Sequence, residues 1–147
     1  MLPPATYTTC RDTILAETRE ELSVVSDQLG CPTSANDIAE AVVKIADRLA
    51  KDSSPDLRGV FHLAGSGETN WAEFARHILS IFEEKTGRRV TVRDIAAADY
   101  PTAAKRPANS RLCCDKLKRL YGVSMPEWQV STRDTVTKLL EEPKEAI

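Results

Sequence analysis

The chain has 147 residues, of which 41% are hydrophobic, 29% charged and 5% aromatic, a composition typical of one compact globular domain. Its net charge is -2 and its lysines and arginines form no block or stripe, which argues against a nucleic-acid-binding protein. The apolar runs are too short to cross a membrane, no signal-peptide pattern opens the chain, and the four scattered cysteines favour a reducing cytoplasm over a disulfide framework.

The first half of the chain predicts a strand, a helix and a second strand after a divergent start. We expect residues 1–18 to be irregular, with a weak helical tendency over Arg11–Glu20. Leu22–Ser26 predicts a short strand. Asn36–Lys51 predicts an amphipathic helix, because its apolar residues recur at helical spacing. Val60–Ala64 is a continuous apolar run, typical of a strand buried on both faces.

The second half predicts a longer helix, a strand and a loop. The helix opens at Asn70, where Glu73 completes a capping-box-like pattern, and it ends at Gly87. Arg89–Ile95 alternates apolar and polar residues as a strand does. Ala96–Arg111 contains two prolines and no regular period, so we expect a long loop there.

Two short helices are expected near the C-terminus, over Cys114–Tyr121 and Thr132–Glu142, before a tail at residues 143–147. Predicted strands and helices therefore alternate along most of the chain. That order predicts an α/β fold.

The glycine-containing segment Gly65–Asn70 lies between a predicted strand and a predicted helix, where a dinucleotide-binding turn would lie. Asn70 occupies the position of the third glycine, and no acidic residue follows about twenty residues later at a strand end. We therefore interpret the segment as a tight strand-to-helix turn. Dinucleotide binding stays the alternative.

The catalytic pair of a short-chain reductase is not found. It needs a Tyr and a Lys four residues apart on one helix, so that the ammonium lowers the pKa of the phenol. Tyr100 and Lys105 are five residues apart, and Pro101 interrupts any helix between them. We therefore predict no catalytic residue and no cofactor site in this chain.

Metal binding and nucleophilic catalysis are also not indicated. His62 falls within the predicted strand over Val60–Ala64 and is interpreted as a core or sheet-edge residue, and His77 as a solvated or half-buried helix residue. Cys113 and Cys114 are adjacent and lack the second pair of cysteines that a zinc site needs. We expect no metal site.

The loop over residues 100–111 carries the clearest chemistry. Its prolines stiffen it, and it holds the cationic residues Lys105, Arg106 and Arg111 beside the polar residues Asn109 and Ser110. A preorganised cationic loop of this kind suits a phosphate or pyrophosphate group. A solvated basic loop is the alternative that composition leaves open.

Three motifs together resemble the C-terminal half of the dTDP-4-dehydrorhamnose reductase family, which belongs to the extended short-chain dehydrogenase/reductases. They are Val24–Thr33 (VVSDQLGCPT), Gly59–Gly65 (GVFHLAG) and Arg106–Leu112 (RPANSRL), and they occur in the order that the family shows. With the helices between them, the resemblance covers roughly residues 19–140.

The resemblance implies the C-terminal part of a Rossmann-type extended short-chain reductase, with a small mixed sheet and packed helices. Residues 19–142 would form its substrate-binding region. Whole enzymes of this family reduce dTDP-4-dehydro-L-rhamnose with NADPH or NADH. Their glycine-rich cofactor turn, catalytic Thr or Ser and Tyr-x-x-x-Lys pair have no counterpart here. We therefore expect a truncated chain, inactive and without cofactor on its own.

The resemblance also implies a dTDP-sugar ligand. Arg106 would face its phosphates, Asn109 and Ser110 would shape the same wall, and a neighbouring loop would contribute Gln28, Pro32 and Thr33. Retention of both loops only to pack two halves together is the alternative. Some family members bind a metal through acidic residues at a dimer interface; the matching positions here are Asn36 and Lys138, which predicts no such metal.

Val60–Ala64 resembles the family's strand that joins the sheet of the cofactor domain. Without that sheet the strand would leave edges unpaired and an apolar face uncovered. We therefore expect a marginally stable or self-associating chain. The alternative function is a non-catalytic nucleotide-sugar-binding module or a subunit that completes a split enzyme, with a separate cofactor-domain chain as partner.

Overall fold

The computed structural model of the protein describes residues 13, 15–100 and 106–141. Strands and helices are interspersed along the chain, which confirms the predicted α/β class. In chain order the elements are β1 (Glu21–Val25), β2 (Leu29–Gly30), α1 (Ala35–Lys51), β3 (Thr69–Asn70), α2 (Trp71–Thr86), β4 (Thr91–Ile95), α3 (Asp115–Tyr121) and α4 (Trp128–Glu141). Short 3-10 turns cover Pro55–Leu57 and Ala97–Asp99. No helix in this described part is long and apolar enough to cross a membrane.

The strands pair in both directions, but in two separate two-stranded sheets. β1 and β4 are parallel, with Leu22 opposite Val92 and Val25 opposite Ile95. β2 and β3 are antiparallel, with Leu29 opposite Asn70. The sequence thus predicted β1 and β4 to within two residues at either end, while the two-residue pairing of β2 with β3 was not predicted.

Helix α2 is the centre of the core, because it buries side chains on two sides. One side packs Leu79 and Phe82 against Leu22 of β1 and Val90. The other side packs Phe74, Ile78 and Ile81 against helix α4, where Trp128 and Val136 belong to the same buried cluster. The helical spacing of apolar residues predicted the helix correctly, while its packing partners were not predicted.

The described part of residues 1–18 contains helical residues, within the stretch Arg11–Glu20 for which the sequence indicated a weak helical tendency. Thr13, Leu15 and Ala16 are helical. Ala16 is fully buried and belongs to the cluster around Leu79 and Phe82. Close packing of this small side chain in the core fixes the local backbone, although few residues of the segment are apolar. Residues 1–12 and the predicted tail at 143–147 lie outside the described residues.

The predicted strand over Val60–Ala64 does not form. Val60 is 79% exposed, and none of the described strands pairs with this run. Lys116 instead covers part of it, because its Nζ donates to the Val60 carbonyl at 3.0 Å and lies 4.2 Å from the Phe61 ring centroid. His62 is exposed, with Nδ1 3.2 Å from the Cys113 carbonyl, and is not a core residue. A strand needs a neighbour for its backbone N–H and C=O groups, and none of the described strands supplies one.

Helix α4 begins at Trp128, four residues before the predicted start at Thr132. Trp128 is buried against Phe74, with ring centroids 5.8 Å apart in an edge-on arrangement. The Thr132 hydroxyl donates to the Trp128 carbonyl at 2.6 Å. Tertiary burial of the indole therefore places it in the helix, which the local pattern did not indicate.

A surface ion pair links the two long helices of the core. Arg133 of α4 donates from Nη1 to Glu84 of α2 at 2.7 Å. The hydrogen bond from this guanidinium lowers the pKa of the Glu84 carboxyl below its ordinary value. Any stabilisation from the pair is present above that ordinary pKa and fades as the pH falls through the lowered one. Both side chains are about half exposed, so the pair contributes little to stability.

The ends of α2 were predicted from local signals. The Asn70 carboxamide oxygen accepts from the Glu73 backbone N–H at 2.8 Å. Gly87 closes the helix with φ of 72°, in the left-handed region that favours glycine. Both capping predictions are confirmed.

Replacing Asn70 with alanine should lower the free energy of unfolding by about 1 kcal/mol, because the first turn of α2 loses its side-chain cap. Urea denaturation followed by circular dichroism measures the change. Asn36→Ala is the matched control, since Asn36 is exposed within the first turn of α1, and it should stay within about 0.5 kcal/mol of the parent. Equal effects of the two substitutions would contradict the capping role.

Candidate functional site

The segment around β2 lies between two other loops. On one side Leu29 pairs with Asn70 of β3. On the other side it forms a parallel bridge with Asn109: the Leu29 N–H donates to the Ala108 carbonyl at 2.9 Å, and the Ser110 N–H donates to the Leu29 carbonyl at 2.9 Å. The structure therefore brings together two of the loops that the sequence singled out.

The side chains of Asn109 and Ser110 hold this junction in place. The Ser110 hydroxyl donates to the Leu29 carbonyl at 3.0 Å. The Asn109 carboxamide oxygen accepts from the backbone N–H and the Nε of Arg111, at 3.1 and 3.0 Å. A Cβ at Gly30 would lie 3.1 Å from the Ser110 hydroxyl, so the closeness of the two loops favours a glycine there. Both residues thus fix the contact between the two loops.

Pro32 and Thr33 connect the same segment to the glycine turn. The Thr33 hydroxyl donates to the Cys31 carbonyl at 2.9 Å and accepts from the Gly65 N–H at 3.0 Å. A Cβ at Gly65 would lie 2.2 Å from the Pro32 carbonyl oxygen, a distance that real Cβ atoms do not reach. Only glycine therefore allows the two backbones to meet here.

The segment Gly65–Asn70 is a tight turn into helix α2, as interpreted from the sequence, although no strand precedes it. Gly67 has φ of 80° and lies against Glu127 and Trp128. The Ser66 N–H donates to the Pro126 carbonyl at 2.9 Å, and its hydroxyl donates to the Met125 carbonyl at 2.6 Å. Asn70 caps the helix. The Ser66 N–H, the Ser66 hydroxyl and the Glu73 N–H are thus hydrogen-bonded within the protein.

Arg111 is paired, unlike in the sequence interpretation, which grouped it with cations available to a phosphate. Its Nη1 donates to the Glu68 carboxylate at 2.5 Å. Glu68 was not identified from the sequence, because the two residues are 43 positions apart and no local signal connects them.

Arg106 is also exposed, but it differs from Arg111 in its pairing. Its side chain makes no hydrogen bond or ion pair with any other residue in the described part of the chain. Gln28 is half-buried directly before Leu29. Lys105 lies outside the described residues.

A cleft of about 400 Å³ opens beside these loops. One wall is the turn over Ala64–Glu68, and the other runs from Arg111 along α3 to Lys118. Cys31 and the segment Val123–Met125 complete the lining. The residues that line this cleft were not predicted, because they come from segments that are distant in sequence.

The matched metal positions Asn36 and Lys138 are exposed residues of α1 and α4. Within residues 13, 15–100 and 106–141, no three His, Cys, Asp or Glu side chains are grouped as metal ligands would be.

Comparison with known proteins identifies the family of the chain. Residues 11–141 match the family described as the RmlD substrate binding domain. A dTDP-4-dehydrorhamnose reductase of Sinorhizobium fredii is 59% identical over 132 residues, which are 90% of this chain and 45% of that protein. The dTDP-4-dehydrorhamnose reductase of Escherichia coli K12 is 38% identical over 130 residues, covering 85% of this chain and 42% of that protein.

Solved structures agree with this result. A dTDP-4-dehydrorhamnose reductase of Clostridium acetobutylicum superposes with a TM-score of 0.78 at 32% identity, over 90% of this chain and 43% of that one. A Bacillus anthracis dTDP-4-dehydrorhamnose reductase, solved in complex with NADP, gives a TM-score of 0.74 at 29% identity, over 88% of this chain and 42% of that one. The chain spans less than half the length of these relatives. By its match over residues 11–141, the chain belongs to the RmlD substrate binding domain family.

Proposed function

We propose that this chain is the substrate-binding half of a cytoplasmic dTDP-4-dehydrorhamnose reductase, with residues 19–142 as its binding region and a dTDP-sugar as its ligand. The observation that carries the proposal is the junction at Leu29, where the loop over Gln28–Thr33 meets the loop over Arg106–Arg111. The family of the chain and the names of its relatives support the same ligand.

In this proposal Arg106 binds the diphosphate. A guanidinium offers donors in a fixed fork that matches phosphate oxygens, and Arg106 is exposed with its charge unpaired within the described residues. Asn109 and Ser110 hold the wall on which Arg106 lies. Gln28, Pro32 and Thr33 form the adjoining wall, and Thr33 orients it through its bond from Gly65.

Reduction requires a second half that this chain does not resemble. In the whole enzyme, NADPH or NADH supplies the hydride, and the proton comes from a Tyr-x-x-x-Lys pair outside the matched region. The residues of this chain would bind and orient the nucleotide-sugar, so that its keto carbon is presented to that half. We propose no catalytic residue among them.

Exposed apolar residues support the proposal that a second half of the enzyme packs against this chain. Val42 and Val43 of α1 are 52% and 68% exposed, and Val60 is 79% exposed at the start of the run that forms no strand. Exposed apolar residues on a helix and an apolar run without a strand partner among the described residues are typical of an interface. We propose that a cofactor-binding half covers these residues. A second copy of the chain is the competing occupant, which light scattering of the purified chain would reveal.

A thermal melt with and without dTDP tests the proposed function. At about a hundred times its dissociation constant, a ligand that binds only the folded state adds about 2.7 kcal/mol to the free energy of unfolding. We expect dTDP to raise the melting temperature of the parent chain. Arg106→Ala should remove most of that shift, because the charged contact to phosphate is lost.

Arg58→Ala is the matched control, since Arg58 is also exposed but lies outside the loops over Gln28–Thr33 and Arg106–Arg111 and outside the turn over Gly65–Asn70. This variant should keep the full dTDP-induced shift in melting temperature. A parent chain whose melting temperature does not respond to dTDP would contradict the proposal. A shift with NADPH would instead support the alternative that Gly65–Asn70 binds a dinucleotide.

A further inference from the structure

The ion pair between Glu68 and Arg111 joins the two walls of the cleft. Glu68 ends the wall formed by the glycine turn, and Arg111 begins the wall that continues into α3. The Arg111 Nη1 lies 2.5 Å from a Glu68 carboxylate oxygen, and the side chains are 37% and 58% exposed. The pair therefore lies at the solvent side of the cleft and crosses it.

The Arg111 end of this pair is coupled to the loop backbone. Asn109 accepts from both the Nε and the backbone N–H of Arg111. Because a guanidinium is planar, fixing Nε on one side and Nη1 on the other sets the orientation of the whole group. A displacement of the Arg111 side chain therefore also displaces Asn109, which lies three residues after Arg106.

The Glu68 end is anchored as well. Gly67, directly before it, has φ of 80° and is packed against Glu127 and Trp128. Thr69, directly after it, pairs with Gly30 in the β2–β3 sheet. Glu68 consequently projects from a backbone that is constrained on both sides.

We propose that Glu68 and Arg111 form a positioning pair for the diphosphate site, an inference that rests on the proposed function. Three hydrogen bonds between Leu29 and the residues Ala108 and Ser110 fix the loop to β2. The ion pair fixes the same loop to the glycine turn. Together they fix the pose in which Arg106 meets the diphosphate, without either residue of the pair touching the ligand.

The exposure of the pair separates this role from a purely structural one. Exposed ion pairs contribute little to stability. Loss of the pair should therefore leave the melting temperature of the unliganded chain nearly unchanged. It should instead loosen the loop over residues 106–112 and weaken the binding of dTDP, because binding then has to order the loop.

The opposite role can be told apart by the sign of the effect. If Glu68 imitated a phosphate and blocked Arg111 in the empty site, the ligand would compete with Glu68. Removing the carboxylate charge would then tighten the binding of dTDP. The hydrogen bonds from Arg111 to Asn109 favour the positioning role, since they already commit the guanidinium to the loop.

The test compares the parent with Glu68→Gln, Arg111→Gln and the double variant in the 147-residue chain. Hydrogen exchange of the backbone amides over residues 106–112 is measured without ligand, and the affinity for dTDP by calorimetry. We expect faster exchange there and about tenfold weaker dTDP binding in each single variant. The double variant should bind no more weakly than the single ones, because both remove the same coupling.

Arg133→Gln is the matched control. It breaks another exposed ion pair, between α4 and α2, outside the loops, and it should change neither loop exchange nor dTDP affinity. Unchanged exchange over residues 106–112 in Glu68→Gln would overturn the positioning role, and so would tighter binding of dTDP. A parent chain that does not bind dTDP would refute the proposed function, while the exchange result would still decide whether the pair holds the loop.

Discussion

Replacing Ile78 with alanine should lower the free energy of unfolding by about 2–5 kcal/mol. Ile78 is fully buried in the cluster between α2 and α4, in contact with residues that include Trp128 and Val136. The loss combines the transfer free energy of the removed methyl and methylene groups with the cost of a cavity between the two helices. Urea denaturation at 25 °C, followed by circular dichroism and tryptophan fluorescence, measures the change.

Val43→Ala is the matched control for this substitution. Val43 is 68% exposed on α1, so its truncation should stay within about 0.5 kcal/mol of the parent. A loss below about 1 kcal/mol for Ile78→Ala would show that the helices close over the missing atoms and that this cluster is not the main core. A large loss for Val43→Ala would show that the α1 face is covered in solution, by a second copy of the chain.

The sequence predicted helix α2 well because all of its signals are local. Its apolar residues recur at helical spacing, Asn70 and Glu73 mark the start, and Gly87 marks the end. The paired strands β1 and β4 were also predicted individually, from alternation and flanking residues. Which strands pair, however, depends on contacts across some 70 positions of chain, as the Arg93 bond to Ser23 illustrates.

The failure at Val60–Ala64 has a physical reason. An apolar run reports that a segment seeks burial, but not what buries it. Val60 is 79% exposed, and Lys116 takes the backbone carbonyl that a neighbouring strand would otherwise pair. The pattern indicates a strand of a larger sheet, whereas the described chain offers none to pair with. The resemblance to a longer family anticipated such an unpaired edge, and periodicity alone did not.

The candidate site was predicted in its parts but not in its assembly. The loops over Gln28–Thr33 and Arg106–Arg111 were singled out by composition and by the family resemblance. The resemblance implied that the two loops are neighbours. Their contact at Leu29 and the pair of Glu68 with Arg111 were not predicted, because hydrogen bonds between residues 43 to 81 positions apart leave no periodic signal. Close packing within the protein explains two of the glycines. A Cβ at Gly65 would clash with the Pro32 backbone, and a Cβ at Gly30 would crowd the Ser110 hydroxyl.

Replacing Gly65 with alanine should therefore damage both the fold and the site. The new Cβ would lie 2.2 Å from the Pro32 carbonyl oxygen and 3.7 Å from the Thr33 Cα. Neither backbone can yield without losing the 3.0 Å hydrogen bond from the Gly65 N–H to the Thr33 hydroxyl. We expect a loss of about 1–3 kcal/mol in the free energy of unfolding, as for other overpacked sites.

The same substitution should abolish most of the response to dTDP. If Pro32 and Thr33 move away from the glycine turn, the binding wall proposed for them is displaced. The measurement is the dTDP-induced shift in melting temperature, taken with the hydrogen exchange of the Gly65 amide. We expect that amide to exchange faster, since its acceptor has moved.

Gly87→Ala separates the damage to the site from a general loss of stability. Gly87 has φ of 72° at the end of α2, and a Cβ there would meet no atom within 4 Å. Alanine at this position is strained by about 1–2 kcal/mol, a loss similar to that expected at Gly65, but it leaves the loops untouched. Gly87→Ala should consequently keep the full dTDP shift. If both variants lost the same stability and the same dTDP response, binding would depend on the global fold alone, and the contact between Gly65 and Pro32 would have no specific part in forming the site.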